Sequence, residues 1–332
     1  MSNPQRSILA AITLFFLAPL VAEYLLGDFS ITFLKPLIVL APMYGGGALL
    51  IRELTRRAGR GWPTIFLLGC AYCLIEEGYT TQTLFNPNAF GLHLHLLSVA
   101  WIPALGIGAW WTLFMLNVHP FWSIGVSIAL VEGLFPSRAR TPWLGNIGIP
   151  VAAVLFAAAV YFSTVFSIRR YHFIASASQF TVTGVIAILF AAAAFLIPKP
   201  KSQPRPEPVP SPWITGLAAF FLAAAVFFAP IPLNWAAVAW ILAADLAFLL
   251  LLWVFSRRSA WTALHTLSIA AAGALFYGMH AFIQGPIVPA PKGTVLASHV
   301  LLLVLALAVI AIAARRTRGW ISAEPGSAAS AQ

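Results

Sequence analysis

The apolar positions of this chain fall into long unbroken runs, separated by short polar or basic stretches. The runs occupy residues 7–27, 33–52, 62–85, 101–118, 120–136, 145–168, 178–198, 213–230, 235–256, 262–285 and 294–315. A transmembrane helix needs about 20 mostly apolar residues to cross a hydrocarbon core of roughly 30 Å. Each run reaches that length or nearly does. A membrane β-barrel would instead alternate apolar and polar residues over shorter segments. The pattern predicts an all-α fold, a polytopic transmembrane helical bundle.

Basic residues sit between the runs, at Arg52/Arg56/Arg57/Arg60, Arg138/Arg140, Arg169/Arg170, Lys199/Lys201/Arg205, Arg257/Arg258 and Arg315/Arg316/Arg318. Lys and Arg stay with the cytoplasmic leaflet. With Arg6 ahead of the first run, both termini read as cytoplasmic, in a multi-pass protein of the cell (inner) membrane. An inside-to-inside chain needs an even number of crossings, so one of the eleven runs does not cross alone. The weakest place is the pair 101–118 and 120–136, joined at His119-Pro120. Either one of them is re-entrant or the two form a single broken passage. About ten helices are expected, at the cost of leaving Arg169/Arg170 outside. The first run lacks a small-residue cleavage site and reads as a retained helix.

A Pro-alternating stretch, residues 199–212, reads as an extended cytoplasmic linker. It separates an N-terminal bundle, 1–198, from a C-terminal four-helix part, 213–320. The Ala/Ser-rich tail, 321–332, reads as disordered.

Composition narrows the function classes. The chain is 61% hydrophobic and 8% charged, against about 25% charged residues in soluble domains. That excludes a soluble enzyme. The net charge of +10 does not indicate nucleic acid, because the cations are dispersed between membrane runs. The lipid bilayer is the expected partner, no nucleic acid is, and a protein or small-molecule substrate is left unspecified. Cys70 and Cys73, the two cysteines, lie in an apolar run without a second ligand pair and read as small filler.

Acidic residues inside apolar runs are the informative ones. A charged side chain at the bilayer centre costs at least about 2.5–3.5 kcal/mol, so those present face the bundle interior and mark sites by default. Glu76, Glu77, Glu132 and Asp245 are so placed, with Glu23 nearer an edge. Glu76 and Glu77 are adjacent, about 100° apart on a helix, so both can border one cavity. Such a pair suits a general base, a metal ligand or a proton relay. The competing reading is an interhelical ion pair, for which Lys35 is the best-placed cation.

His119 precedes Pro120, which ends or kinks a helix and frees backbone carbonyls. Irregular backbone at membrane depth lines a cavity or is buried. Glu76 and His119 are therefore candidate ligands for a divalent metal such as zinc. Glu132 lies thirteen residues beyond His119, and joins it only if the proline re-aims the chain. Further polar membrane residues are Asn117, Asp245, His280 and Gln284. Asp245 is expected to pair with His265 or His280. His93 and His95 form a weak interfacial metal candidate, with surface histidines the plainer account. Gly45-Gly46-Gly47 permits close helix packing.

The stretch Leu67-Leu68-Gly69-Cys70-Ala71-Tyr72-Cys73-Leu74-Ile75-Glu76-Glu77 resembles the first signature of the CPBP intramembrane proteases, the CAAX-processing and bacteriocin-protection family. That family carries EExxxR, then FxxxH, then a later histidine followed by Asn or Asp. The resemblance implies a glutamate base that activates water, with histidines shaping the site or holding metal. Glu76 and Glu77 match the double glutamate, and His119 takes the place of the second-motif histidine. The arginine position is Thr81, Phe114 stands five residues before His119, and no HxxxN or HxxxD follows it.

Three readings follow. The first is an intramembrane hydrolase built on Glu76, Glu77, His119 and Glu132. The second is a proton-coupled transporter, in which Glu76, Glu77 and Asp245 exchange protons. The third is a non-catalytic membrane component, whose buried charges serve assembly. A compact Glu/His trio in the folded bundle favours the first; a continuous polar path favours the second.

Overall fold

A computed structural model describes residues 4–198 and 207–323. Among them are ten helices: α1 (Pro4–Pro19, widening into Leu20–Leu25), α2 (Leu37–Arg57), α3 (Trp62–Ile75, widening into Glu76–Thr80), α4 (Ala109–Leu134), α5 (Gly148–Tyr171), α6 (Ala177–Leu196), α7 (Pro212–Phe227), α8 (Trp235–Phe255), α9 (Ala263–His280) and α10 (Lys292–Ala323). The fold is an all-α polytopic bundle. Seven helices, α1, α2, α4, α5, α6, α8 and α10, are long and apolar enough to cross a membrane. Residues 199–206 of the Pro-rich stretch and 324–332 of the tail lie outside the described residues, as does the Arg6 side chain.

The surplus apolar run is accounted for at 101–136. Trp101–Ile102 (β1) pairs antiparallel with Ile107–Gly108 (β2) in a short hairpin. The rest of that run joins 120–136 in the single helix α4. Pro120 does not break α4: from Val118 to Val126 the chain widens into a π-helical stretch. Such widening re-satisfies backbone groups that proline frees.

Contacts between helix ends show an up-and-down course. On one face, the Arg60 guanidinium donates to the carbonyls of Phe195 and Ile197. On the same face Arg258 reaches the Pro208 carbonyl at 2.6 Å, and Arg316 the Leu134 carbonyl at 2.9 Å. On the other face, Tyr79 donates to the Phe180 carbonyl, Ala175 N–H to Gln82 Oε1, and Gln284 to Asp28. The described basic clusters gather on the first face, save Arg169/Arg170 at the far end of α5.

The core sits around α4. Its apolar stretch is 78% buried, against 17%, 17%, 11% and 17% for α5, α6, α8 and α10. Those four outer helices present apolar flanks for lipid to cover. One buried cluster joins α1, α2, α3 and α4, and a second joins α1 and α4 to α7, α9 and α10. The C-terminal helices therefore pack directly on the helices that hold the candidate site.

Candidate functional site

Each of the first four helices carries one π-helical stretch: Leu20–Leu25 in α1, Ala41–Gly45 in α2, Glu76–Thr80 in α3 and Val118–Val126 in α4. Each stretch supplies polar side chains to one buried group, namely Glu23, Tyr44, Glu76 with Glu77, and His119 with Ser123. Such widenings are rare in helices and concentrate at functional sites. A wide turn re-aims side chains by a fraction of a helical turn, which is how four apolar helices direct these groups at one point.

Close packing brings the helices together there. A methyl group on Gly69 would lie 2.8 Å from Pro120 Cα, so only glycine lets α3 meet α4 beside His119. A methyl on Gly47 would lie 2.5 Å from the Tyr72 ring, which occupies that space. The glycine run in α2 thus makes room for an aromatic wall of the site.

The His119 imidazole lies between the two carboxylates. Its Nε2 is 2.8 Å from Glu77 Oε1, and its Nδ1 is 3.2 Å from Glu76 Oε2. All three residues are buried, and each offers a ligand atom within 4.8 Å of the others. Glu77 is held from behind. Its Oε2 accepts from Thr81 Oγ1 at 3.0 Å and from Thr83 Oγ1. Thr83 is fixed in turn by Trp111 Nε1 at 3.0 Å. Thr83 reaches back because Gln82 adopts a left-handed backbone (φ 57°), where a non-glycine residue is uncommon. The Gln82 side chain steadies that reversal by accepting from Ala175 N–H at 2.8 Å.

Glu76 is held differently. Its Oε2 and the Tyr72 hydroxyl are buried and make no well-directed hydrogen bond among the described residues. The 3.2 Å approach of Nδ1 is an ion-pair distance without hydrogen-bond direction. Ser123 Oγ stands 3.3 Å from the same Nδ1. Tyr44 stacks at 6.3 Å from the imidazole and donates its hydroxyl to Glu23. Glu23 is half-buried and carries the accessible edge of the group.

Two carboxylates thus flank one imidazole and a third, Glu23, joins them through Tyr44; among the described residues no Lys or Arg pairs with the three. Lys35 is exposed and forms no ion pair with Glu76 or Glu77.

Glu132 is not part of this group. Thirteen residues along a continuous helix separate it from His119 by roughly 20 Å, because Pro120 does not re-aim the chain. It pairs with Arg52 Nε at 3.0 Å and Arg56 Nη2 at 2.7 Å. Arg52 is fully buried, stacks on Trp143, and donates to the carbonyls of Arg138, Ala139 and Thr141. A fully paired guanidinium of this kind serves structure.

Asp245 pairs with neither His265 nor His280: it accepts from Asn117 Nδ2 at 3.2 Å, because α8 packs on the first half of α4. His265 is occupied at the start of α9, with its Nδ1 by Thr262 and its Nε2 by the Pro210 carbonyl. His280 lies among the rings of Phe227 and Phe276, and Gln284 bonds Asp28. His93 and His95 are exposed in the 81–108 loop. Glu23 and Tyr44, by contrast, join the site, although the sequence places Glu23 near an edge. The signal was there: a carboxylate and a tyrosine on the first two apolar runs.

The chain belongs to an uncharacterized membrane protein family, whose model matches residues 12–198. That span contains every residue of the buried group. The assignment supports a membrane protein and lends no support to the CPBP resemblance. No curated protein and no solved structure gives a match.

Proposed function

We propose that this family member is a membrane-embedded hydrolase, whose reactive pair is Glu76 and Nδ1 of His119, with Glu77 as the residue that positions the imidazole. The reading is carried by one observation: an imidazole buried between two carboxylates, on four helices that each widen to reach it. If Nε2–H donates to Glu77, the Nδ1 lone pair faces Glu76 Oε2, and neither atom can donate to the other. Two acceptors and the Tyr72 hydroxyl then converge on one small volume. A water there gives one proton to Nδ1 or Glu76 as its oxygen attacks a carbonyl carbon, and the same proton returns to the leaving amine.

The donor set also fits a divalent cation such as zinc. Carboxylate and imidazole are its usual oxygen and nitrogen ligands, and two charges would offset the uncompensated carboxylates. Glu76 and His119 would hold it, with Glu77 orienting the histidine from the outer shell, as carboxylates do at many zinc sites. When bound, it would supply Lewis-acid polarisation of water and carbonyl. The substrate class in this reading is a peptide bond, whose carbonyl carbon takes the water oxygen and whose amine takes the proton.

The test uses the full chain in lipid nanodiscs, mixed with solubilised membrane proteins in ¹⁸O-labelled water. New carboxyl termini carrying ¹⁸O are expected with wild type and not with Glu76→Gln. Equal labelling in the two, or none above the nanodisc blank, overturns the reading.

A second reading, a proton-coupled carrier, draws on the link from half-buried Glu23 through Tyr44 towards the centre. Proton uptake by liposomes that depends on Glu23 would favour it. We also assign the arginine-rich face to the cytoplasm of an inner membrane, from the excess of Lys and Arg on that side. Reporter fusions at Pro208 and Gln332 should both read cytoplasmic, and an external signal at either contradicts the assignment.

A further inference from the structure

Asp245, on α8, is a carboxylate at membrane depth outside the buried group described above. Exposed Trp235 and Trp253 stand near the two ends of α8, and tryptophan at a membrane boundary takes headgroup level. The axial distance between them is about 27 Å, close to the hydrocarbon thickness of about 30 Å. Asp245 lies about 15 Å along the axis from the first and about 12 Å from the second. Its carboxylate is therefore near mid-depth.

The side chain sits where the buried side of α8 meets its exposed side. Ile241 and Ala244 are buried in the cluster that holds Trp110 of α4, whereas Leu242, Leu246 and Leu249 are exposed. Residues three and four apart are neighbours on a helix surface, so Asp245 borders Ile241 on one side and Leu242 and Leu249 on the other. It is half-buried accordingly. Its Oδ2 accepts from Asn117 Nδ2 at 3.2 Å, and that amide also donates to the Leu113 carbonyl at 3.0 Å. The Leu113 carbonyl needs a donor, which fixes the amide nitrogen towards Asp245 and leaves the carboxylate as acceptor. Among the described residues Oδ1 has no hydrogen-bond donor, and no Lys, Arg or His forms an ion pair with Asp245.

We propose that this margin of α8 docks a membrane-spanning helix of another protein that carries a lysine or arginine at mid-depth. The cation pairs with Asp245, and the apolar side of that helix lies along Leu242, Leu246 and Leu249. Charge complementarity selects this occupant. A wholly apolar helix would leave the carboxylate facing hydrocarbon, and an acidic one would add a like charge. A basic residue in a spanning helix is itself costly in lipid, so the pairing relieves both partners at once.

The experiment titrates the full chain, in phosphatidylcholine vesicles, with dansyl-labelled Leu/Ala peptides long enough to span. Three peptides are used, identical except for Lys, Gln or Leu at the central position. Energy transfer from the protein's tryptophans to the dansyl group reads binding. The Lys peptide should bind about tenfold more tightly than either of the others. That preference should vanish in Asp245→Asn, which keeps the size of the side chain. Equal binding of the Lys and Gln peptides to wild type overturns the proposal, because a neutral hydrogen bond would then account for the contact. This comparison is made in wild type and holds whether or not the variant folds well. A Lys preference that survives in folded Asp245→Asn also overturns it. So does self-association of the wild-type chain that the Lys peptide disrupts and Asp245→Asn abolishes, which would assign the margin to a second copy.

Discussion

His119 Nε2 lies 2.8 Å from Glu77 Oε1, and this contact governs what the other ring nitrogen can do. Two threonine hydroxyls hold the far oxygen of Glu77, so the carboxylate cannot turn away and the imidazole follows it. Nδ1 is thereby aimed at Glu76 and Ser123. In an apolar bundle this directed arrangement of acceptors is costly unless something occupies it.

Glu77 and His119 should be energetically coupled. A double-mutant cycle with Glu77→Gln and His119→Gln, read by thermal unfolding in detergent, should give an interaction energy of about 2 kcal/mol. Strict additivity would mean that the contact contributes nothing to the fold.

Glu132 should behave as a structural group. Replacing it with Gln leaves Arg52 and Arg56 without their shared carboxylate, and breaking a buried pair costs about 3 kcal/mol or more. The folded fraction should still hydrolyse substrate at the wild-type rate. A folded Glu132→Gln protein without activity would place Glu132 back among the reacting groups.

How much of this was legible in the chain can be seen at five places. The ten helices were, because eleven apolar runs and a parity argument leave one surplus, and the weak junction at His119-Pro120 marks where it goes. The convergence of Glu76, Glu77 and His119 was, because carboxylates in apolar runs face the bundle interior, where polar groups can meet them. The partners of Glu132 were not read, although parity puts Glu132 and the Arg52 end of α2 on one face. The choice of Asn117 for Asp245 depends on which helices touch, and periodicity along one run does not encode its neighbours. The widening at Val118–Val126 was out of reach for the same reason: a proline can break a helix or widen it, and packing decides.

Asp28 gives a pH dependence. It lies beyond the end of α1, where Gln284 and the backbone of Ile287 clamp it to the loop after α9. Burial pushes its carboxyl up to about 7, with the Gln284 hydrogen bond opposing. A raised carboxyl favours the fold below its unfolded value and loses that contribution as pH rises through about 7. Melting temperature should therefore fall as pH rises from about 4 to about 7 and level off above that, and Asp28→Asn should flatten the fall. An unchanged slope in the variant contradicts the assignment.

The most direct measurement is the divalent metal content of the purified full chain after zinc loading and removal of free metal. Wild type should retain about one zinc per chain. Glu76→Gln and His119→Ala should each retain almost none, and Glu77→Gln should bind about 10–100-fold more weakly, as loss of an outer-shell partner does. Zinc retained equally by wild type and the Glu76→Gln/His119→Ala double variant, or by neither, would contradict the claim that Glu76 and His119 form a ligand pair.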